Sequence, residues 1–223
     1  MTEKSLGIIV KHFCLDSLDE SAANKDVLLF PPQSLNSVVI MNIFGKLIVN
    51  GLEDVYEEVK GLKSLEEMKK CLDYKTKSSS LKKYYFVDNS TKIKKKSKKG
   101  TQIVSISKES ELTRLEETTT SSELEEAFIS LYDCDPQAIL DNGKLMSACS
   151  LIKLDEVYDF GIITCGDARC KRYARTLMYE YLKKHSKDKL IRVIVPLDNI
   201  PMMNVVNSLG LTSEIEVLEI KLK

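Results

Sequence analysis

The 223-residue sequence predicts an α/β protein built on a mixed sheet. Three observations lead there. From residue 101 to the end, strand-like and helix-like patterns alternate. Helix starts are marked by Ser64-x-x-Glu67, Ser122-x-x-Glu125 and Asn199-Ile-Pro201. Asp141-Asn142-Gly143 sits between two apolar runs, and both central residues of such a turn need positive φ, which makes it a strong hairpin signal. A compositional break between Lys75 and Gly100 predicts two domains, 1–100 and 101–223, with residues 75–100 as a lysine-rich linker.

In the first domain, Val27–Phe30 reads as a strand stopped by Pro31-Pro32. Val38–Phe44 and Leu47–Val49 read as a hairpin turning at Gly45-Lys46, ended by Asn50-Gly51. Leu52–Val59 and Ser64–Leu72 read as helices. In the linker, Ser78-Ser79-Ser80 and the run Lys92–Lys99 flank a short strand, Tyr84–Val87. The run has no interleaved aromatics and reads as a solvated loop, with phosphate binding as the alternative.

In the second domain, Gln102–Ile106 alternates as a strand and Ser107–Glu117 as a short helix. Leu124, Ala127, Phe128 and Leu131 share a helical face after the Ser122 cap. Strands follow at Gln137–Leu140, Lys144–Lys153 and Val157–Cys165. Ala174, Leu177, Met178, Tyr181 and Leu182 mark the buried face of a helix reaching His185. Leu190–Val195 is a strand, Asn199 opens a helix that Gly210 closes, and Glu214–Leu222 is the last strand. Its apolar phase slips between Val217 and Leu218, which predicts a bulge, and its apolar content predicts a strand partner on each side.

Charge and cysteine usage bound the function. Lys+Arg and Asp+Glu are each 33, so the net charge of zero gives no bias towards nucleic acid or an anionic membrane. Six scattered cysteines without a Cys-x-x-Cys pair, and two histidines, argue against a zinc site or a disulfide framework. The N-terminus fits neither a signal peptide nor a membrane span. A soluble protein of the reducing, cytoplasmic compartment is expected.

The chemistry is carried by Thr164-Cys-Gly-Asp-Ala-Arg169-Cys170-Lys171-Arg172-Tyr173-Ala174-Arg175-Thr-Leu177, a strand end running through a basic loop into a helix. Unpaired amides and the positive dipole end of a first helical turn together hold anions such as pyrophosphate. The stretch resembles the Arg/Gln-x-x-Gly-x-Gly/Ala motif of the GNAT N-acetyltransferase superfamily, with Arg169 opening it and Ala174 closing it. The order strand, two helices, three antiparallel strands, helix, strand, helix, strand is also the GNAT layout. Asn199-Ile-Pro-Met202-Met-Asn-Val-Val206-Asn-Ser-Leu209-Gly210-Leu211 is similar to the family's Asn-x-x-Ser-x-x-x-Tyr-x-x-x-Gly-Phe segment. The pattern Lys144–Ser150 ahead of Asp159–Thr164 resembles family members with a divergent N-terminal domain, which can itself be a degraded half of the same fold.

The resemblance implies acetyl-CoA as cofactor and an amine, small molecule or protein, as acceptor. The backbone of Ile162, Ile163 and Thr164 would pair with the pantetheine amides. Arg169, Cys170, Lys171, Arg172, Tyr173, Ala174 and Arg175 would hold the pyrophosphate, and Asn199 would line the pantetheine arm. By position, Glu156 and Asp159 are the candidate bases for deprotonating the amine.

Three departures stand against the pattern. Arg172 replaces the first motif glycine, where its guanidinium could bind phosphate or its bulk could block the site. Met202 stands at the serine position. Val206 stands at the tyrosine position and removes the simplest general acid. Two functions therefore stay open: an acyl-CoA-dependent N-acetyltransferase, or a catalytically impaired GNAT-fold binding or regulatory protein. A homodimer or a protein partner suits either. Cys165 and Cys170 have no histidine nearby in sequence to activate them as nucleophiles. Glu111, Glu116, Glu117, Glu123, Glu125 and Glu126 read as a solvated acidic helix face that could also attract a cationic amine.

Overall fold

A computed structural model describes residues 2–13, 27–30, 36–95, 98–127, 129, 134–213 and 215–223. Two compact units emerge, each drawn from three segments. Unit 1 comprises Met1–Ile9, Phe86–Val193 and Pro201–Leu211, and unit 2 comprises Val10–Tyr85, Ile194–Ile200 and Thr212–Lys223.

Unit 2 holds strands β1 (Val27–Phe30), β2 (Ser37–Ile43), β3 (Lys46–Asn50), β4 (Thr76–Val87, through Tyr85) and β10 (Ile215–Leu222), neighbours in the order β1-β3-β2-β10-β4. β1 runs parallel to β3, and the other pairs are antiparallel. The β2–β3 turn is Phe44-Gly45, at φ 52° and 84°, one residue earlier than expected. Helices α2 (Glu53–Val59) and α3 (Leu65–Leu72) contribute to a core that includes Val38, Ile40, Val55, Met68 and Leu218. Half of the α3 capping box forms as predicted: Ser64 Oγ accepts the Glu67 N–H at 3.2 Å, while Glu67 Oε2 accepts the N–H of Lys63, one residue earlier, at 3.0 Å.

Two expectations are corrected here. The serines assigned to the linker belong to β4, where Ser79 and Ser80 pair opposite Ile220 and Glu219. The ladder with β10 decides this, since serine has no strong strand preference of its own. β10 does pair on both sides, with β2 and β4, but its register runs unbroken through Val217 and Leu218. Val217 and Leu218 point to opposite faces and both are buried, so the phase slip marks a strand covered on both faces. Pro31, Pro32 and Glu214 lie outside the described residues.

Unit 1 carries β5 (Gln102–Ser105), β6 (Cys134–Asp141), β7 (Lys144–Leu154), β8 (Val157–Thr164) and β9 (Leu190–Pro196, through Val193), in the order β9-β8-β7-β6-β5. β8–β9 is parallel and the rest antiparallel. The β6–β7 turn is Asn142-Gly143, at φ 51° and 74°, as the sequence indicated. Helix α6 (Tyr173–His185) packs on β6, β7 and β8 and buries Leu177, Met178, Tyr181 and Leu182. Helix α7 (Ile200–Leu209) ends at Gly210, φ 74°.

Between β5 and β6 lie α4 (Thr113–Thr118) and α5 (Ser121–Ala127). The α5 cap is Thr120 with Glu123, two residues before the expected Ser122 and Glu125: the Glu123 N–H donates to Thr120 Oγ1 at 3.3 Å, and the Thr120 N–H to Glu123 Oε2 at 2.9 Å. Both pairs fit the same spacing rule, and packing selects one. Phe128 and Leu131 fall outside the described residues.

Helix α1 (Glu3–His12) has no counterpart in the sequence reading. Its start is tied to Asp88, which accepts the Thr2 N–H at 2.7 Å and the Ser90 Oγ–H at 2.7 Å. The lysine run is not a solvated linker throughout. The Lys94 N–H caps α7 at Leu209 O, 2.8 Å, and the Lys98 N–H donates to Thr176 Oγ1 on α6 at 3.0 Å. Lys98 Nζ reaches Tyr173 Oη at 2.6 Å and Asp141 at 3.0 Å.

Candidate functional site

Two parallel strands part where chemistry was expected. β8 and β9 are in register at Val157↔Leu190, Tyr158↔Ile191 and Asp159↔Arg192, and the pairing ends there. On its other side β8 stays paired with β7 as far as Ser147↔Thr164. The Cys165 N–H donates to Met146 O on β7 at 3.0 Å. Backbone groups alternate edges along a strand, so the N–H and C=O of Ile162 and Thr164 point away from β7, along the edge that continues past the last β9 pair. Ile163 turns its carbonyl to β7, where the buried Ser147 Oγ–H donates to it at 2.6 Å. Ser147 Oγ also lies 3.0 Å from Thr164 Oγ1, fixing the strand's last side chain.

β8 leads into a short 3₁₀ turn, Gly166–Ala168, and then into the basic loop. Gly166 is required by packing: an added Cβ would stand 2.6 Å from Thr118 O at the end of α4. Cys170 and Arg172 take left-handed backbone conformations, φ 62° and 72°. Arg172 is the N-cap of α6, and its side chain makes no cap hydrogen bond, so the first-turn amides of Tyr173, Ala174 and Arg175 receive no acceptor from it. Arg175 Nε is buried without a hydrogen-bond partner among the described residues. Uncapped amides, an orphaned guanidinium nitrogen and the exposed side chains of Arg169, Lys171 and Arg172 suit a diphosphate.

The loop's charged side chains have partners from the preceding helices. Arg169 Nη2 donates to Glu123 Oε1 on α5 at 2.6 Å. Arg114 on α4 pairs with Asp167 at 2.5 Å and also donates to Leu145 O. Lys171 Nζ donates to Asp167 O at 2.8 Å. In the acidic cluster, Glu111 accepts the amides of Ser107 and Lys108 at 2.7 and 3.0 Å, and Glu123 caps α5. Glu111 therefore serves local partners, whereas Glu123 serves both its helix cap and Arg169.

The candidate bases differ in setting. Asp159 is held bidentately by Arg192, Nε to Oδ1 at 2.7 Å and Nη2 to Oδ2 at 2.9 Å, with side chains 18% and 9% exposed. To act as a base it would have to leave a guanidinium that occupies both oxygens. Glu156 is exposed in the β7–β8 turn, three residues before the point of parting. Val206, at the family's tyrosine position, is fully buried core. Asn199 precedes α7 in a tight turn, its N–H donating to Pro196 O at 3.1 Å. Cys165 is buried with its Sγ 3.4 Å from Leu145 O, and burial pushes its thiol pKa up, away from nucleophilic use.

The structure thus brings Ile162, Thr164, Arg169–Arg175 and Asp159 onto one strand–loop–helix segment of unit 1. Sequence reasoning did not single out Ser147, Arg114, Arg192 or Lys98. Each acts through a partner 16 to 75 residues away, and no local pattern signals that.

The observed element order from β5 to β10 is the layout expected from the sequence. That order resembles the GNAT layout. No family model and no curated protein matches the sequence. Similar solved structures include a GNAT-family acetyltransferase from Colwellia psychrerythraea (15% identity, TM-score 0.47, 73% of this chain and 63% of that one). A GCN5-related N-acetyltransferase from Kribbella flavida is 11% identical (TM-score 0.48, 71% of this chain and 63% of that one). A spermidine N-acetyltransferase from Vibrio cholerae, in complex with CoA and spermine, is 13% identical (TM-score 0.41, 56% of this chain and 97% of that one). The chain thus spans less than two thirds of the length of the first two. No helix among the described residues is long and apolar enough to cross a membrane.

Proposed function

We propose that the protein is an acyl-CoA-dependent N-acetyltransferase acting on an amine. The observation that carries this reading is the parting of β8 from β9 after Asp159, directly upstream of a cationic loop and an uncapped helix start. When bound, acetyl-CoA would supply the activated thioester and its thiolate leaving group. The open edge at Ile162 and Thr164 offers N–H and C=O groups to an amide-bearing arm, and Ser147 holds that edge rigid. Arg169, Lys171, Arg172 and Arg175, with the amides of Tyr173 and Ala174, bind and orient the diphosphate; Cys170 shapes the loop through its backbone. Glu156 takes the role of base, accepting the amine's proton through water, because Asp159 is committed to Arg192.

A second reading, a protein that binds CoA without transferring the acyl group, is favoured by the burial of Val206 and the clamping of Asp159. Calorimetric titration with acetyl-CoA and with CoA tests the site, and acetyl transfer to a panel of amines separates the two readings. The wild type is expected to bind both ligands. Arg172→Gly is expected to retain binding and to melt about 2–4 °C higher, since a left-handed non-glycine residue costs about 1 kcal/mol. Binding by Arg172→Gly alone would favour the impaired protein, and binding by neither would overturn the proposal.

A further inference from the structure

Arg169 opens the motif, and it is not simply presented to solvent. Glu123 Oε1 accepts its Nη2–H at 2.6 Å, while Oε2 of the same carboxylate accepts the Thr120 N–H at 2.9 Å and lies 3.1 Å from Thr120 Oγ1. The two oxygens therefore have separate duties, one closing the α5 cap and the other holding the loop's guanidinium. A carboxylate and a phosphate each offer a pair of anionic acceptor oxygens to a guanidinium. With a diphosphate on Arg169, the Glu123 carboxylate would become a like charge at contact distance. It can withdraw Oε1 and keep Oε2 on the cap, so displacing it does not unfasten the helix. The pair is partly exposed, 48% and 37% at the two side chains, which places it among weak, exchangeable ion pairs.

We infer that Glu123 is a built-in competitor for the cofactor's phosphates, exchanging with them on Arg169 and setting the affinity of the site. This rests on the reading of the 165–175 loop as the diphosphate site. Asp167, the loop's other paired group, is bound by Arg114 and does not touch Arg169 in the described contacts, so the competition falls on one carboxylate.

The test is calorimetric titration of the full chain with free CoA at low ionic strength, comparing wild type, Glu123→Gln, Arg169→Gln, the double variant, and a Glu125→Gln/Glu126→Gln control on the same helix. Glutamine keeps an oxygen for the Thr120 cap. Affinity is expected to rise about two- to fivefold in Glu123→Gln, in proportion to a weak surface pair. No gain is expected in the control, or in the double variant over Arg169→Gln. Binding by Glu123→Gln where the wild type shows none would support the inference still more strongly. Equal or weaker binding by Glu123→Gln beside a binding wild type would overturn the inference alone. An equal gain from the control would reduce it to general charge and overturn it too. Absence of binding in every variant would overturn both the inference and the function on which it rests.

Discussion

Arg172 and Arg192 show what one residue can decide. Arg172, at the position of the first glycine in the motif that the loop resembles, sits at φ 72°, a left-handed conformation that costs it what glycine would not incur. Arg192 joins Asp159 at the last paired position of β8 and β9, so the two strands are pinned where they begin to separate. Removing one partner of a largely buried ion pair leaves an uncompensated charge and typically costs about 3–5 kcal/mol. Arg192→Met is therefore expected to lose about 2–4 kcal/mol by urea denaturation, allowing for partial exposure of Asp159, while Asp159→Asn/Arg192→Met recovers much of that loss. A double variant as unstable as the single one would show that the pair is not what holds this position.

At the scale of elements, the anchoring of α1 shows how a helix with no clear sequence signal is held. Burial alone would raise the Asp88 carboxyl, but donors from Thr2, Ser5, Ser90 and Thr91 outweigh it and hold the group well below the usual carboxylate range. A depressed folded value means that the stabilisation is present above the unfolded carboxylate value, near pH 4, and is lost as pH falls through the folded one. Asp88→Asn is expected to cost about 1–3 kcal/mol at pH 7. The gap to the wild type should narrow below about pH 4, measured as denaturation midpoints at both pH values. A gap independent of pH would mean that the ionised form is not what the donors stabilise. The loop element was more legible: Arg169, Ala174 and the helix after them were visible as a motif, whereas the pairing of Glu123 and Arg114 with the loop was not, because they meet it only through folding.

For the whole molecule, the order of strands matters more than their number. β10 finds both of its neighbours, β2 and β4, before residue 100. A fragment of residues 101–223 would carry β10 with neither ladder partner and with apolar residues exposed on both faces. That fragment is expected to lack a cooperative thermal transition by circular dichroism, in contrast to the full chain. A sharp transition at the full chain's temperature would show that the C-terminal segment folds by itself.

The sequence by itself determined the elements that depend on local chemistry. The Asn142-Gly143 turn, the Ser64 cap, the Gly210 stop and the basic loop before α6 are each written in two to five adjacent residues, because positive φ, amide capping and helix termination are short-range effects. Tertiary structure decided what depends on distant partners. It placed Ser78–Ser80 in a strand, chose Thr120 over Ser122 as a cap, gave Asp159 to Arg192 and set Glu123 against Arg169. In each case several local arrangements satisfy the same spacing rule or charge requirement, and only packing between segments far apart in the chain selects one.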